Sequence, residues 1–253
     1  LFSTLMLRPY VFIFFAIFLV SGIRSWGWKR TLLLTSLGWG VAFAAEFSST
    51  RIGFPFGLYV YLPGTKGREL WILNIPFMDS LSFAFLAYAS YTLALHLLQP
   101  PWNGLRRWRI PSLATLLFVL LDIIIDPLAL RGDRWFLGKI YDYPGGGIYF
   151  GVPLSNFLGW GVVGAVIFLL FEAMDRSLKG VPAGAKPPGF GGPFLYFSIL
   201  LSGVGMTFWI GEPVLGGIGL ALSLPPLGFF IARVKTREKG PDPGSRMVAI
   251  SDR

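Results

Sequence analysis

The chain has 253 residues, 54% of them apolar and only 14% charged, with a mean hydropathy of +0.63 and a formal net charge of +9. Soluble domains carry about 25% charged residues, so the composition excludes a water-soluble protein and defines an integral membrane protein. With no cysteine and a single histidine, His96, the sequence also excludes disulfides, thiolate catalysis, cysteine-ligated metal, multi-histidine metal sites and a haem held by two histidines.

A membrane-crossing helix needs about 20 predominantly apolar residues. Hydropathy places seven such spans, at residues 5–23, 31–47, 75–98, 111–130, 152–171, 193–210 and 214–231. The fold class is therefore all-α, a bundle of about seven transmembrane helices. Residues 1–232 form one polytopic domain, with no length left for a soluble one. Residues 10–23 have no small-residue cleavage site behind them and read as a first span rather than a signal peptide. The third span stops at Gln99-Pro100-Pro101, and residues 233–253 read as a polar, disordered cytoplasmic tail.

Lysine and arginine counts orient such a bundle. Fifteen of the 22 lie in the tail and in the loops after spans one, three and five, and seven lie on the other side, among them Arg8, Arg51, Arg131 and Arg134. This puts the C-terminus in the cytoplasm and the N-terminus outside, in the plasma (inner) membrane. The positive charge meets anionic lipid rather than nucleic acid.

Span alternation has a second consequence, independent of which side is outside. Glu46 ends span two, Asp79 opens span three, Asp122 and Asp126 lie in the last half of span four, Asn156 opens span five, and Glu212 sits between spans six and seven. All of these fall at one end of the bundle, and the opposite ends are expected to hold no acid before the basic loops. Asp122 and Asp126 are four residues apart and so share a helix face. Carboxyl groups inside a membrane are costly and mark functional sites by default. Two loops at the same end, GFPFGLYVYLP (53–63) and YDYPGGGIYFGV (141–152), are aromatic and glycine-rich. They are expected to form a lid or rim over a polar-floored, aromatic-walled pocket.

Each feature also has a structural reading. The carboxyl groups can bond neighbouring helices, and Asp79 can pair with Arg51 or serve as a helix-start acid beside Pro76. Glu212, before Pro213, reads as an ordinary turn acid. Asn156 can bridge two spans. Tyr59, Tyr61, Tyr143 and Tyr149 can form an interfacial aromatic belt, and His96 reads as an interfacial residue. The small residues of GWGVVG (159–164) and GGIGLA (216–221) are close-packing sites.

The ordered blocks AEFSSTRIGFPFGLYVYL (45–62), PFMDSLSFAFLAY (76–88), DPLAL with a following Trp135 (126–135) and GGIYFGVPLSNFLGW (146–160) resemble the carotenoid biosynthesis membrane proteins. These include hydratases that act on γ-carotene, lycopene or bisanhydrobacterioruberin. The resemblance covers about residues 40–165, and this chain carries Ser48-Ser49 where the family pattern has glycine. It implies addition of water to the terminal isopropylidene double bond of an acyclic carotenoid, without a cofactor or metal. The implied partners are the lipophilic carotenoid, membrane lipid and other enzymes of the pathway. The family's acidic and amide positions fall on Glu46, Asp79, Asp126 and Asn156, and its aromatic positions on Tyr59, Tyr61 and Trp160; Trp135 joins them as a substrate contact and Asp122 as a neighbouring acid.

Hydrating an unactivated alkene needs a strong, placed acid, a second carboxylate to orient and deprotonate water, and aromatic faces for the tertiary cation between the two steps. Asp126 or Asp79 is the expected donor, with Glu46 on the water. A lycopene cyclase uses the same protonation and closes a ring. A prenyltransferase is suggested only weakly by DIIID (122–126). A retinal photoreceptor fails because every lysine falls in a loop or the tail. A proton-coupled transporter is the non-enzyme alternative.

Overall fold

A computed structural model describes residues 2–98, 106–177 and 189–238. A short helix, α1 (Phe2–Leu7), precedes seven long ones: α2 (Pro9–Trp26), α3 (Trp28–Ile52), α4 (Phe77–Leu98), α5 (Arg106–Ala129), α6 (Leu154–Ser177), α7 (Gly191–Trp209) and α8 (Pro213–Glu238). These seven are the helices long and apolar enough to cross a membrane among the described residues. The chain is thus a multi-pass, all-α membrane bundle.

Helix ends differ from the apolar spans for local reasons. Residues 5–23 do not form one helix: α1 and α2 are separated at Arg8. Helix α3 runs on to Ile52 because polar side chains bond back into it, Thr50 Oγ1 donating to the Glu46 carbonyl at 2.9 Å. Gly53 ends it in the left-handed region at φ +77°, a conformation open to glycine at little cost. Ile75 is extended rather than helical, as expected of a residue before proline, and pairs with Ile72. Helix α8 continues to Glu238, so the first residues of the expected tail are helical. Residues 239–253 lie outside the described residues.

Helix α4 is the centre of the bundle. It packs on α2, α3, α5, α6, α7 and α8 and is buried without interruption from Phe83 to His96. Small residues allow this closeness. A Cβ on Gly38 of α3 would lie 2.8 Å from the Ala84 Cα, and one on Gly159 of α6 would lie 2.7 Å from the Pro55 carbonyl oxygen. Gly164, Gly216 and Gly219 meet Phe118, Phe208 and Val204 with Ile124 in the same way, so both small-residue runs are packing sites.

At one end the loops fold back as a roof. Strand β1 (Val60–Tyr61) pairs antiparallel with β4 (Tyr141–Asp142), Tyr61 opposite Tyr141. A second ribbon joins β2 (Trp71–Ile72) to β3 (Ile75–Pro76). Ser49 accepts the Phe56 N–H on its Oγ at 3.0 Å and ties the first loop to α3.

The opposite end corrects two expectations. It is not free of acids: Glu172 and Asp175 of α6 are both buried there. Arg30 of α3 grips Asp175 through Nε and Nη2, the second bond being 2.7 Å, and its guanidinium stacks over Trp26 at 5.1 Å. The Tyr91 hydroxyl donates to Glu172. The helix runs a turn past the apolar stretch, which carries these acids inside the bundle. His96 is not interfacial either. It is buried among Phe190 and Phe230, its Nδ1 2.8 Å from the Thr92 carbonyl oxygen.

Candidate active site

Beneath the roof lies a cavity of ≈ 350 Å³, lined by residues of α2 to α7 and both aromatic loops. Its polar side chains include Glu46, Asp79, Asp126 and Asn156, and its walls include Tyr59, Tyr61, Tyr141, Tyr143, Trp135 and Trp160. No lysine or arginine lines it among the described residues, so a diphosphate has no cationic seat in the lining.

Glu46 sits near the end of α3, 3% exposed, and accepts a hydrogen bond from the Ser80 hydroxyl. Asp79 stands in the first turn of α4. Its partner is Arg8, not Arg51: Arg8 Nη1 lies 3.2 Å from Asp79 Oδ1, while Arg51 turns to the Phe47 carbonyl at 2.9 Å. Arg8 is 1% exposed and is held from the other side by Glu69, with Nε and Nη2 each 3.1 Å from a carboxylate oxygen. The guanidinium thus bonds both carboxyl groups, one positive charge shared between two acids. The second Asp79 oxygen, Oδ2, is buried with no protein partner among the described residues.

Asp126 occupies the last turn of α5 and reaches the cavity. Asp122, one turn earlier, is wholly buried and stands behind the lining rather than in it. Asn156, in the first turn of α6, links them to the roof. Its Nδ2 donates to Asp122 Oδ2 at 2.7 Å, and its Oδ1 accepts the Tyr143 hydroxyl at 3.0 Å. Asn156 is therefore both a bridge between helices and a cavity residue. Asp122, Tyr141, Asn156 and Tyr143 all place polar groups beside the Asp126 carboxyl.

The tyrosines are not a belt at the membrane surface. Tyr59, Tyr141 and Tyr143 are buried, and the four rings of Tyr59, Tyr61, Tyr141 and Tyr143 pack edge-to-face or tilted, with centroids 5.3 to 6.2 Å apart. Burial, and after it the neighbouring Glu46, pushes the Tyr59 and Tyr61 phenols well above their ordinary value. Burial and Asp126 do the same for Tyr141 and Tyr143. All four are thus neutral phenols in the cavity wall. Trp160 stacks on Phe83 at 4.5 Å and packs on Phe118 at 4.7 Å. The Trp135 indole donates to the Leu128 carbonyl at 3.1 Å, which fixes the ring at the rim.

Sequence reasoning missed Arg8, counted among the charges on one side of the membrane, and did not single out Glu69 or Tyr141. The signal for Arg8 was its place inside the apolar run 5–23. Glu212 is what a turn acid should be, outside the cavity and paired with Arg131 and Arg134 at 2.8 and 2.5 Å.

Fold and site together define a polytopic membrane protein with an enclosed carboxyl-and-tyrosine chamber suited to an apolar ligand. Consistent with that, residues 6–224 match the carotenoid biosynthesis protein family, and the chain belongs to it. A curated relative, the bisanhydrobacterioruberin hydratase of Haloarcula japonica, is 32% identical over 181 residues, covering 67% of this chain and 56% of the relative. The match therefore spans little more than half of that protein's length. No solved structure matches the chain.

Proposed function

We propose that the protein is a carotenoid hydratase that adds water to the terminal isopropylidene double bond of an acyclic carotenoid. The observation that carries this reading is the division of labour among the cavity acids. Asp79 is tied to a buried arginine, so it serves as an anion. Asp126 has no such cation and is surrounded by an amide, phenols and another carboxyl group, a setting suited to holding a proton. The relative's hydratase activity supports the same choice.

In this reading the Asp126 carboxyl gives its proton to the CH carbon of the terminal double bond. The positive charge then falls on the dimethyl-substituted carbon, as a tertiary cation. The faces of Tyr59, Tyr61, Tyr141 and Tyr143, with Trp160, stabilise it. A water held between Asp79 Oδ2 and Glu46 attacks the cation. The resulting oxonium loses its extra proton to the carboxylate, leaving a tertiary alcohol. The proton gained by that carboxylate is returned to Asp126, so that the cycle restores both groups and consumes only the alkene and one water. Asp122 acts on Asp126 as a positioning residue. The C-terminus is cytoplasmic, on the strength of the lysine and arginine distribution.

Expression in a lycopene-accumulating bacterium, with mass analysis of the pigments, tests the proposal. The expected result is a gain of one water per modified end. An unchanged mass with an altered absorption spectrum identifies a cyclase, which shares the protonation step. Unchanged pigment across acyclic carotenes overturns both.

A further inference from the structure

Helices α2 and α7 run side by side and are in intimate contact at the end away from the site, where a Cβ on Gly191 would lie 2.3 Å from the Ser21 hydroxyl oxygen. At the other end the cavity comes between them. Tyr10 and Phe14 of α2 and Ser202, Gly203 and Met206 of α7 all line it. None of these five is buried: Ser202 is exposed, and the others are partly so. The Ser202 hydroxyl is spent on its own helix, donating to the Ile199 carbonyl at 2.9 Å, so this opening is apolar. Ser202 lies seven residues before the end of α7 at Trp209, which is about 10 Å into the hydrocarbon at the helical rise of about 1.5 Å per residue. The opening therefore faces lipid chains rather than water.

One aromatic stands across it. Phe136 lines the cavity yet is 59% exposed. Its ring meets Tyr10 edge-on at 6.0 Å and Trp135 at 4.9 Å. Tyr10 is steadied by Arg8, whose Nη1 is 3.5 Å from its hydroxyl, while Phe136 sits on the 130–140 loop.

We propose that the gap between α2 and α7 is the substrate's door, opening sideways into the bilayer. Only the end of the polyene enters, and the rest of the chain lies outside along Phe14, Ser202 and Met206, with Phe136 as the gate. The inference rests on the carotenoid reading above. Volume supports it: a chamber of ≈ 350 Å³ is at the low end of those that enclose a drug-sized molecule, and an acyclic carotenoid is an extended chain of some tens of carbons. The chemistry needs only its last double bond inside. A lateral door also lets the ligand pass from lipid to protein without crossing water, at no cost in exposed apolar surface.

The chain has no cysteine, so a single introduced thiol can be addressed alone after folding. Ser202→Cys and, as control, Leu201→Cys are prepared in lipid nanodiscs and treated with a bulky maleimide. Leu201 is the neighbouring lipid-facing residue of α7, 46% exposed and outside the cavity lining. Binding is read as quenching of tryptophan fluorescence by added lycopene, and conversion by product mass. The expected result is at least about tenfold weaker quenching and lost conversion on labelling Ser202→Cys, relative to the same variant before labelling, with labelled Leu201→Cys matching its own unlabelled form. Undiminished quenching by labelled Ser202→Cys overturns the door, as does failure of the unlabelled protein to bind lycopene. Quenching that the Ser202 label blocks, in a protein that converts no acyclic carotene, keeps the door and removes the hydratase reading.

Discussion

The two ends of this bundle use the same residue types to opposite effect. At one end, Arg30 with Asp175 and Tyr91 with Glu172 form bonds between helices, packed against Trp26 and Phe171. At the other, Arg8 pairs with Asp79 and Glu69, and Asn156 with Asp122. There, however, Glu46, Asp79 and Asp126 border a cavity, and Asp79 Oδ2 is buried without a protein partner among the described residues. Buried acids alone do not distinguish a site from a clamp. What distinguishes the site is polar capacity left facing space that another molecule can fill.

Substitutions at the two ends should separate turnover from stability. Asp126→Asn removes the donor while keeping size and hydrogen bonding, and should lower conversion at least about 100-fold in a protein that still inserts and melts normally. Wild-type turnover on an acyclic carotene would show that Asp126 is not the acid. Asp175→Asn should do the reverse. It leaves Arg30 buried beside a neutral amide and should cost about 3 kcal/mol, read as a lower melting temperature, with unchanged turnover per folded molecule. Loss of turnover without loss of stability would make the clamp a second functional site.

Trp160→Ala blurs the division, because the ring is wall and core at once. Its stack on Phe83 and Phe118 predicts a loss of about 3 kcal/mol that exceeds the effect on chemistry; normal melting with lost conversion would contradict this. Tyr143→Phe deletes one hydrogen bond to Asn156, worth about 1 kcal/mol, and should slow turnover severalfold with little change in melting. The smallest effect should come from Glu212→Gln on the rim. Hydrogen bonds from Arg131, and then Arg134, hold that carboxyl below its ordinary value. Its contribution is therefore present above the unfolded pKa and lost as pH falls through the lowered folded one. Because Glu212 is partly solvated, the difference in stability at neutral pH should be under about 1 kcal/mol, and the melting temperatures of variant and parent should converge in acid.

How much of this was legible follows from what the sequence signals measure. Seven apolar runs give seven helices, because a membrane span is a property of composition and length. Alternation then brings Glu46, Asp79, Asp126 and Asn156 to one end with no knowledge of packing. The same logic failed for Glu172 and Asp175, since hydropathy ends a span at the first charges whereas a helix ends where its backbone bonds end. Arg8 was invisible for a related reason. A charge near the end of an apolar run is ordinarily a surface charge, and the folding back of Glu69, together with Asp79, makes it an internal ion. Nor could the loops announce the β1–β4 pairing, which is set by two-residue strands 80 positions apart. Hence Tyr59 and Tyr143 read as a belt and are the cavity wall.

That long-range strand pair also sets an order of assembly. Val60 and Tyr61 emerge after α3, but their partners Tyr141 and Asp142 come only after α5. As the chain is made from its N-terminus, Glu46 and Asp79 are already in the membrane before the segment that roofs them exists. Until then Arg8, made before α4, can pair with Asp79, and Ser80 at the start of α4 can bond Glu46. The chamber is consequently a late product of biogenesis, complete only when α7, the sixth long helix, has entered the bilayer and closed its last wall.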